Sequence, residues 1–188
     1  MAKEKINVWI PEIDDLNDIS IETLNFVFKQ GELYLTELVK IYDNTISRAY
    51  TLLSIYISIL GIMITFLATN LVSGGYDKED TPILIILSFT LIPMIYCLFI
   101  IIGIIFPNQL MVTGRPPKEL IPNKLMDIPV GDKLLYLLYN ECIHLQTKVA
   151  YNELINTRRL ASLKRVIITS VSTFIISFIL IVSFYFFY

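Results

Sequence analysis

LLSIYISILGIMITFLATNLVS, residues Leu52–Ser73, runs for 22 residues without a charge. A helix of that length crosses the ~30 Å hydrocarbon core of a bilayer. A helix is also the only single-segment solution there, because its backbone groups satisfy one another without water. Along the stretch Ser54, Ser58, Gly61, Thr65 and Thr69 recur at three- and four-residue steps, so one face is small and hydroxylated. The remaining faces carry Leu, Ile, Met and Phe for lipid. Small residues let helices approach closely, and hydroxyls bond across helices or back to the preceding turn. The stretch therefore predicts a membrane protein that packs tightly or oligomerises. The sharper reading of the same stripe is a pore lining, wetted by hydroxyls once several copies assemble.

Composition agrees with that class. The 188 residues are 55% hydrophobic, with a mean hydropathy of +0.64, far above an ordinary soluble domain. Net charge is −2, so no global basic field argues for direct nucleic-acid binding. Cys97 and Cys142 form no CxxC and no disulfide framework. No hydrophobic leader region is visible in MAKEKINVWIPEIDD, so the first span is expected to serve as its own insertion signal.

Upstream of the span, residues 1–19 form an acidic arm in which Ile6–Ile10 alternates as a short strand would and Trp9 could dock the arm. Residues 20–49 predict a helix, with Ser20 as N-cap and Glu22 in the first turn. Leu24, Val27, Phe28, Leu35, Leu38, Val39 and Tyr42 give its apolar pattern. No proline separates it from the span at 50–73, and only Gly31 interrupts it. One helix from about Ile21 to Val72 is expected, about 75 Å long at 1.5 Å per residue.

Downstream, Gly74-Gly75 and four charges end the helix over 74–81, and Thr81-Pro82 starts the next. The second span, 82–106, is uncharged, and Pro93 is expected to kink it. Residues 107–131 hold five prolines and a basic character from Arg115, Lys118 and Lys124, which exclude a long helix. Asp132 can cap a third helix over 132–165, with Leu134, Leu138, Cys142, Leu145, Val149 and Leu154 on one face. That helix runs into a third span, 166–188, ending in the aromatic anchor Tyr185–Tyr188. Thr169, Thr173 and Ser177 make a strip on it that could mate with the first-span stripe.

The fold class expected is thus all-α, with three transmembrane helices and long extensions of the first and third. The loop 74–81 carries only Lys78, whereas Lys40, Arg48, Arg115, Lys118, Lys124, Arg158, Arg159, Lys164 and Arg165 lie on the other side. Basic residues favour the cytosol. This puts the N-terminus and both extensions in the cytosol, the 74–81 loop and the C-terminus in the periplasm, and the chain in the inner membrane. Residues 1–49 hold five Lys/Arg against nine Asp/Glu, hence −4, and residues 107–165 hold nine against five, hence +4. Helices of complementary charge are expected to pack together. Arg158, Arg159, Lys164 and Arg165 form the candidate cytosolic interaction group.

Catalytic chemistry is not in evidence. His144 is the only histidine, so histidine-pair metal and acid–base sites lack a partner, and it reads as a helix-surface residue. No GxGxxG, Walker A or EF-hand pattern occurs, and no ionisable residue lies within a span, against a proton-coupled carrier. No enzyme, metal or cofactor is expected.

The architecture of LYLTELVKIYDNTISRAYTLLSIYISILGIMITF, then a short outer loop, a second span and a basic cytosolic segment, resembles the small membrane effectors of bacterial antiphage systems. Such proteins accompany cyclic-nucleotide signalling, as in the Pycsar transmembrane effectors, and some CRISPR systems. The chain is also similar to the membrane accessory proteins of RNA-targeting CRISPR systems, but Arg158, Arg159 and Arg165 have no downstream His to form an Arg-x4–6-His pattern. The resemblance implies a homo-oligomer that perturbs the inner membrane on a cytosolic signal, from a nucleotide second messenger or a defence protein. The alternatives are a membrane scaffold that recruits a soluble partner and a small channel or transporter component.

Overall fold

The computed structural model describes residues 19–72, 81–106, 109–114, 129 and 132–187. The arm with Trp9, the charged loop through Asp80, and Arg115, Lys118, Lys124 and Tyr188 lie outside them. Three helices are present, α1 Ile21–Val72, α2 Thr81–Ile105 and α3 Lys133–Phe187, and no strand occurs among the described residues. All three are long and apolar enough to cross a membrane, consistent with an all-α multi-pass membrane protein.

The helix limits follow from local chemistry. Ser20 caps α1: its Oγ accepts the Thr23 N–H (3.1 Å) and its carbonyl accepts the Leu24 N–H (3.1 Å), satisfying donors that the first turn leaves open. Neither Gly31 nor Gly61 interrupts α1, and α2 runs on through Pro93. Just before α3, the Asp132 carbonyl accepts the Tyr136 N–H (3.0 Å).

The chain forms two compact units. The first comprises residues 1–43 and 108–157, and the second residues 44–107 and 158–188.

In the first unit α1 and α3 run parallel. Leu24 meets Cys142, Tyr34 meets Glu153 and Leu38 meets Asn156, so partners advance together along both helices. The packed positions on α1 are Leu24, Phe28, Gly31, Leu35, Leu38 and Tyr42, and on α3 Leu135, Leu138, Cys142, Leu145, Val149, Asn152 and Asn156. Both series alternate steps of three and four, the heptad spacing of a coiled-coil seam. This corrects the apolar faces expected from a 3.6-residue stripe: Val27 and Leu134 are 45% and 53% exposed, since a 3.5-residue seam turns them outward. At Gly31 an added Cβ would stand 2.5 Å from Leu145 Cδ2, so the glycine is what admits Leu145 into the seam.

In the second unit α2 lies antiparallel to α3. Phe106 meets Arg159, Cys97 meets Val166 and Thr90 meets Ser177, one number falling as the other rises. Its core joins Ala49, Tyr56, Leu60 and Met63 of α1 to Met94, Cys97, Ile101 and Ile104 of α2 and Leu163 and Val166 of α3. In water each fully buried Leu would contribute ~1.5–3 kcal/mol. Against lipid that drive vanishes, and close packing and interhelical hydrogen bonds hold such helices together.

Candidate functional site: a polar seam and an exposed hydroxyl stripe

Polar side chains occupy seam positions of α3 where apolar ones would pack. In the first unit Asn152 is fully buried. Its Oδ1 accepts the Met111 N–H (3.1 Å) and its Nδ2 donates to the Met111 carbonyl (2.8 Å). One side chain thereby satisfies both backbone groups of a residue that lies outside any helix. One turn earlier, Lys148 Nζ donates to the carbonyls of Val112 (2.9 Å) and Gly114 (2.6 Å). Gly114 has φ +83°, a left-handed conformation that glycine adopts without steric cost. Residues 109–114 are thus fastened to α3 by two side chains. Asn156 Nδ2 donates to the Leu38 carbonyl (2.8 Å), while its buried Oδ1 has no hydrogen-bond partner among the described residues.

In the second unit Arg159, only 4% exposed, donates from Nη2 to the Phe106 carbonyl (2.6 Å). Phe106 directly follows α2, whose last carbonyls have no donor within the helix. A guanidinium there completes the helix end and complements its dipole. The candidate interaction group therefore divides: Arg159 is an internal cap, whereas Arg158, Lys164 and Arg165 are exposed. Deeper in the unit, Thr90 Oγ1 donates to the Ile86 carbonyl (2.8 Å) and lies 2.7 Å from Ser177 Oγ. The Thr90 proton being so engaged, the Ser177 hydroxyl is the donor of that pair. Tyr56 OH pairs with Ser170 in the same way across α1 and α3.

The first-span stripe sits elsewhere. Ser54, Ser58, Gly61, Thr65 and Thr69 are all exposed. Ser58, Thr65 and Thr69 hydroxyls turn back to the carbonyls of Ser54, Gly61 and Thr65 (2.8–2.9 Å). Nothing lies within 4 Å of a Cβ built on Gly61. Within the chain the expected mating with Thr169, Thr173 and Ser177 does not form: Ser177 faces Thr90 of α2, and α1 presents Tyr56, not its small residues, to α3. A large aromatic opposite a serine fills the seam that two small faces would leave void. The chain's own packing leaves the stripe unused.

Chemistry beyond packing is sparse. No group of three or more His, Cys, Asp or Glu is arranged for a metal among the described residues. His144 is exposed on α3 and already engaged within the protein. Cys97 and Cys142 are buried free thiols. Burial, with a smaller contribution from Glu141, pushes the Cys142 thiol above its usual range, and so away from the reactive thiolate. A groove of about 150 Å³ between α2 and α3 is lined by Phe89, Thr90, Pro93, Thr173 and Ser177 among others, and it is almost wholly apolar. No protein-family model, no curated protein and no solved structure matches this chain. The polar seam had a sequence signal, the three–four spacing of 145, 149, 152, 156 and 159, which a search for apolar residues alone passes over.

Proposed function

We propose that the chain is an inner-membrane effector of antiviral defence, which oligomerises and permeabilises the bilayer when a cytosolic signal reaches its extramembrane helices. The observation that carries the reading is the stripe Ser54–Thr69. It is hydroxylated, lies on an uncharged span and is left exposed by the protein's own packing. Self-association through such a face lets backbones approach closely, and enough copies would surround a wetted path. The defence role itself is supported by the architectural resemblance, with the N-terminus cytosolic and the C-terminus periplasmic.

The test uses two double variants and a membrane-potential dye in expressing cells. Ser58→Leu with Thr65→Leu adds bulk and removes hydroxyls, and should abolish depolarisation. Ser58→Ala with Thr65→Val keeps size, and should reduce depolarisation while the oligomer survives. Full depolarisation by the Leu pair at normal oligomer levels would end the pore assignment for this face.

A second reading, a scaffold that recruits a soluble partner, is favoured by Phe26 and Leu33. They are 64% and 62% exposed, one heptad apart on the extramembrane part of α1. Under that reading Phe26→Glu with Leu33→Glu removes a co-purifying partner and leaves membrane potential untouched.

A further inference from the structure

Charge is distributed unevenly in the second unit. Its described residues contain five cations, Arg48, Arg158, Arg159, Lys164 and Arg165, and no Asp or Glu. Arg159 is consumed in capping α2, and Arg158 is exposed but engaged within the protein. Arg48, Lys164 and Arg165 are exposed. The nearest acidic residue along α1, Asp43, is five positions before Arg48 and so about 140° round the helix from it.

The three cations share a level. Tyr56 of α1 meets Ser170 of α3. Eight residues back along each of these parallel helices Arg48 falls opposite Ser162, and six residues back Tyr50 falls opposite Lys164. Phe106 is level with Arg159 through its hydrogen bond. Positions 159–165 span about 9 Å at 1.5 Å per residue, a headgroup layer's thickness rather than a helix length. Tyr50 and Phe106, 53% and 67% exposed, lie in the same slab, where aromatic rings settle at a membrane interface. On the far side of the slab begin the uncharged tracts of α1 and α3.

We infer that Arg48, Lys164 and Arg165 form a binding belt for the phosphates of anionic phospholipids. The occupant follows from charge complementarity: cations at the entry of apolar helices, without carboxylates among the described residues of their unit, stand at the depth of the lipid phosphate. Guanidinium groups bind phosphate bidentately, and lysine adds a mobile charge. The inference rests on the three helices crossing a bilayer, and not on the effector reading.

Full-length protein is reconstituted into nanodiscs of phosphatidylcholine with and without phosphatidylglycerol, and bound lipids are counted by native mass spectrometry after release. Wild type should retain phosphatidylglycerol in preference to phosphatidylcholine, and added salt should weaken the preference through screening. Arg48→Gln, Lys164→Gln and Arg165→Gln together should lower it by about fivefold per cation removed. Arg48→Lys with Arg165→Lys should keep most of it, which separates charge from folding. An unchanged preference in the triple Gln variant, or no preference in wild type, overturns the belt. Failure of wild type to enter nanodiscs at all refutes instead the membrane spans on which it rests.

Discussion

The contact between Gly31 and Leu145 makes a quantitative forecast. A Cβ at position 31 would lie 2.5 Å from Leu145 Cδ2 and 3.2 Å from Cγ, against an optimal carbon separation of about 3.5–4.0 Å. Cδ2 ends a rotatable side chain, so Leu145 can yield at an off-rotamer cost of ~0.5–1.5 kcal/mol. Replacing a helical Gly by Ala gains ~0.8–1 kcal/mol in propensity. The two offset, so Gly31→Ala should leave stability nearly unchanged. Leu145→Ala alone should cost about 2–5 kcal/mol. In that background the clash is gone and the new methyl fills vacated space worth ~0.8 kcal/mol, so Gly31→Ala should stabilise by about 1–2 kcal/mol.

The predicted coupling is therefore ~1–2 kcal/mol, well outside the ~0.3–0.5 kcal/mol within which independent sites add. Full-length protein in mild detergent, unfolded by titrated denaturant and followed by helical circular dichroism, supplies the four corners of the cycle. Glycine's effect on the unfolded chain is common to both backgrounds and cancels. Additive single effects would refute the seam contact, since Gly31 would then have open space beside it.

Other perturbations probe different contacts. Asn152→Leu removes both hydrogen bonds to Met111 and should destabilise by ~1–3 kcal/mol, at ~0.5–1.5 kcal/mol net per hydrogen bond, with faster proteolysis after residues 109–114 as the readout. Tyr34 OH donates to Glu153 (2.5 Å), and this bond, with a little burial, raises the Tyr34 pKa above 10.0. The raised value means that the stabilisation is complete below pH ~10 and disappears as pH climbs through the folded pKa. A pH series should show a larger alkaline loss in wild type than in Tyr34→Phe, where the buried Cys142 thiol still contributes its own. Thr90→Val and Ser177→Ala should couple by only ~0.6 kcal/mol in a denaturation cycle, the average for hydrogen bonds between membrane helices. A reporter fused after Tyr188 should be active only in the form that requires export to the periplasm, and activity of a cytosolic reporter at that site would reverse the topology.

Much of this fold could be read from breakers. Ser20, the uninterrupted run to Val72 and the start at Lys133 were legible because caps and helix-breaking residues act over a few positions. The face of α3 was not. Counting apolar residues favours Leu134 and Leu154, whereas the packed series passes through Asn152, Asn156 and Arg159. Those three become acceptable inside only because the Met111, Leu38 and Phe106 carbonyls accept from them, and such partners are far away in sequence. By sequence alone Arg159 groups with Arg158, Lys164 and Arg165 as a candidate interaction charge, since no local pattern announces that the end of α2 will need a donor. Spacing places the small residues on one face of α1, but which helix that face meets depends on the three-helix packing, and there Tyr56 takes the seam.

The placement of polar groups bears on how the chain can assemble. Buried amides and a guanidinium in a seam contribute little net stability compared with leucines of similar size, yet a slip in register would leave each without its carbonyl. A shift of α3 by one seam position relative to α1 would orphan Asn156, and in the first unit would also pull Cys142 from Leu24. The seam therefore fixes one alignment within the chain. The exposed stripe on the first span carries no such marks: the hydroxyls of Ser58, Thr65 and Thr69 are satisfied within α1 itself. An exposed face whose hydrogen bonds are already closed can meet lipid or a second copy with little desolvation cost in either state. The same closure makes Ser58→Ala with Thr65→Val a test of wetting rather than of folding, because removing a hydroxyl that bonds only to its own helix leaves no partner unsatisfied elsewhere.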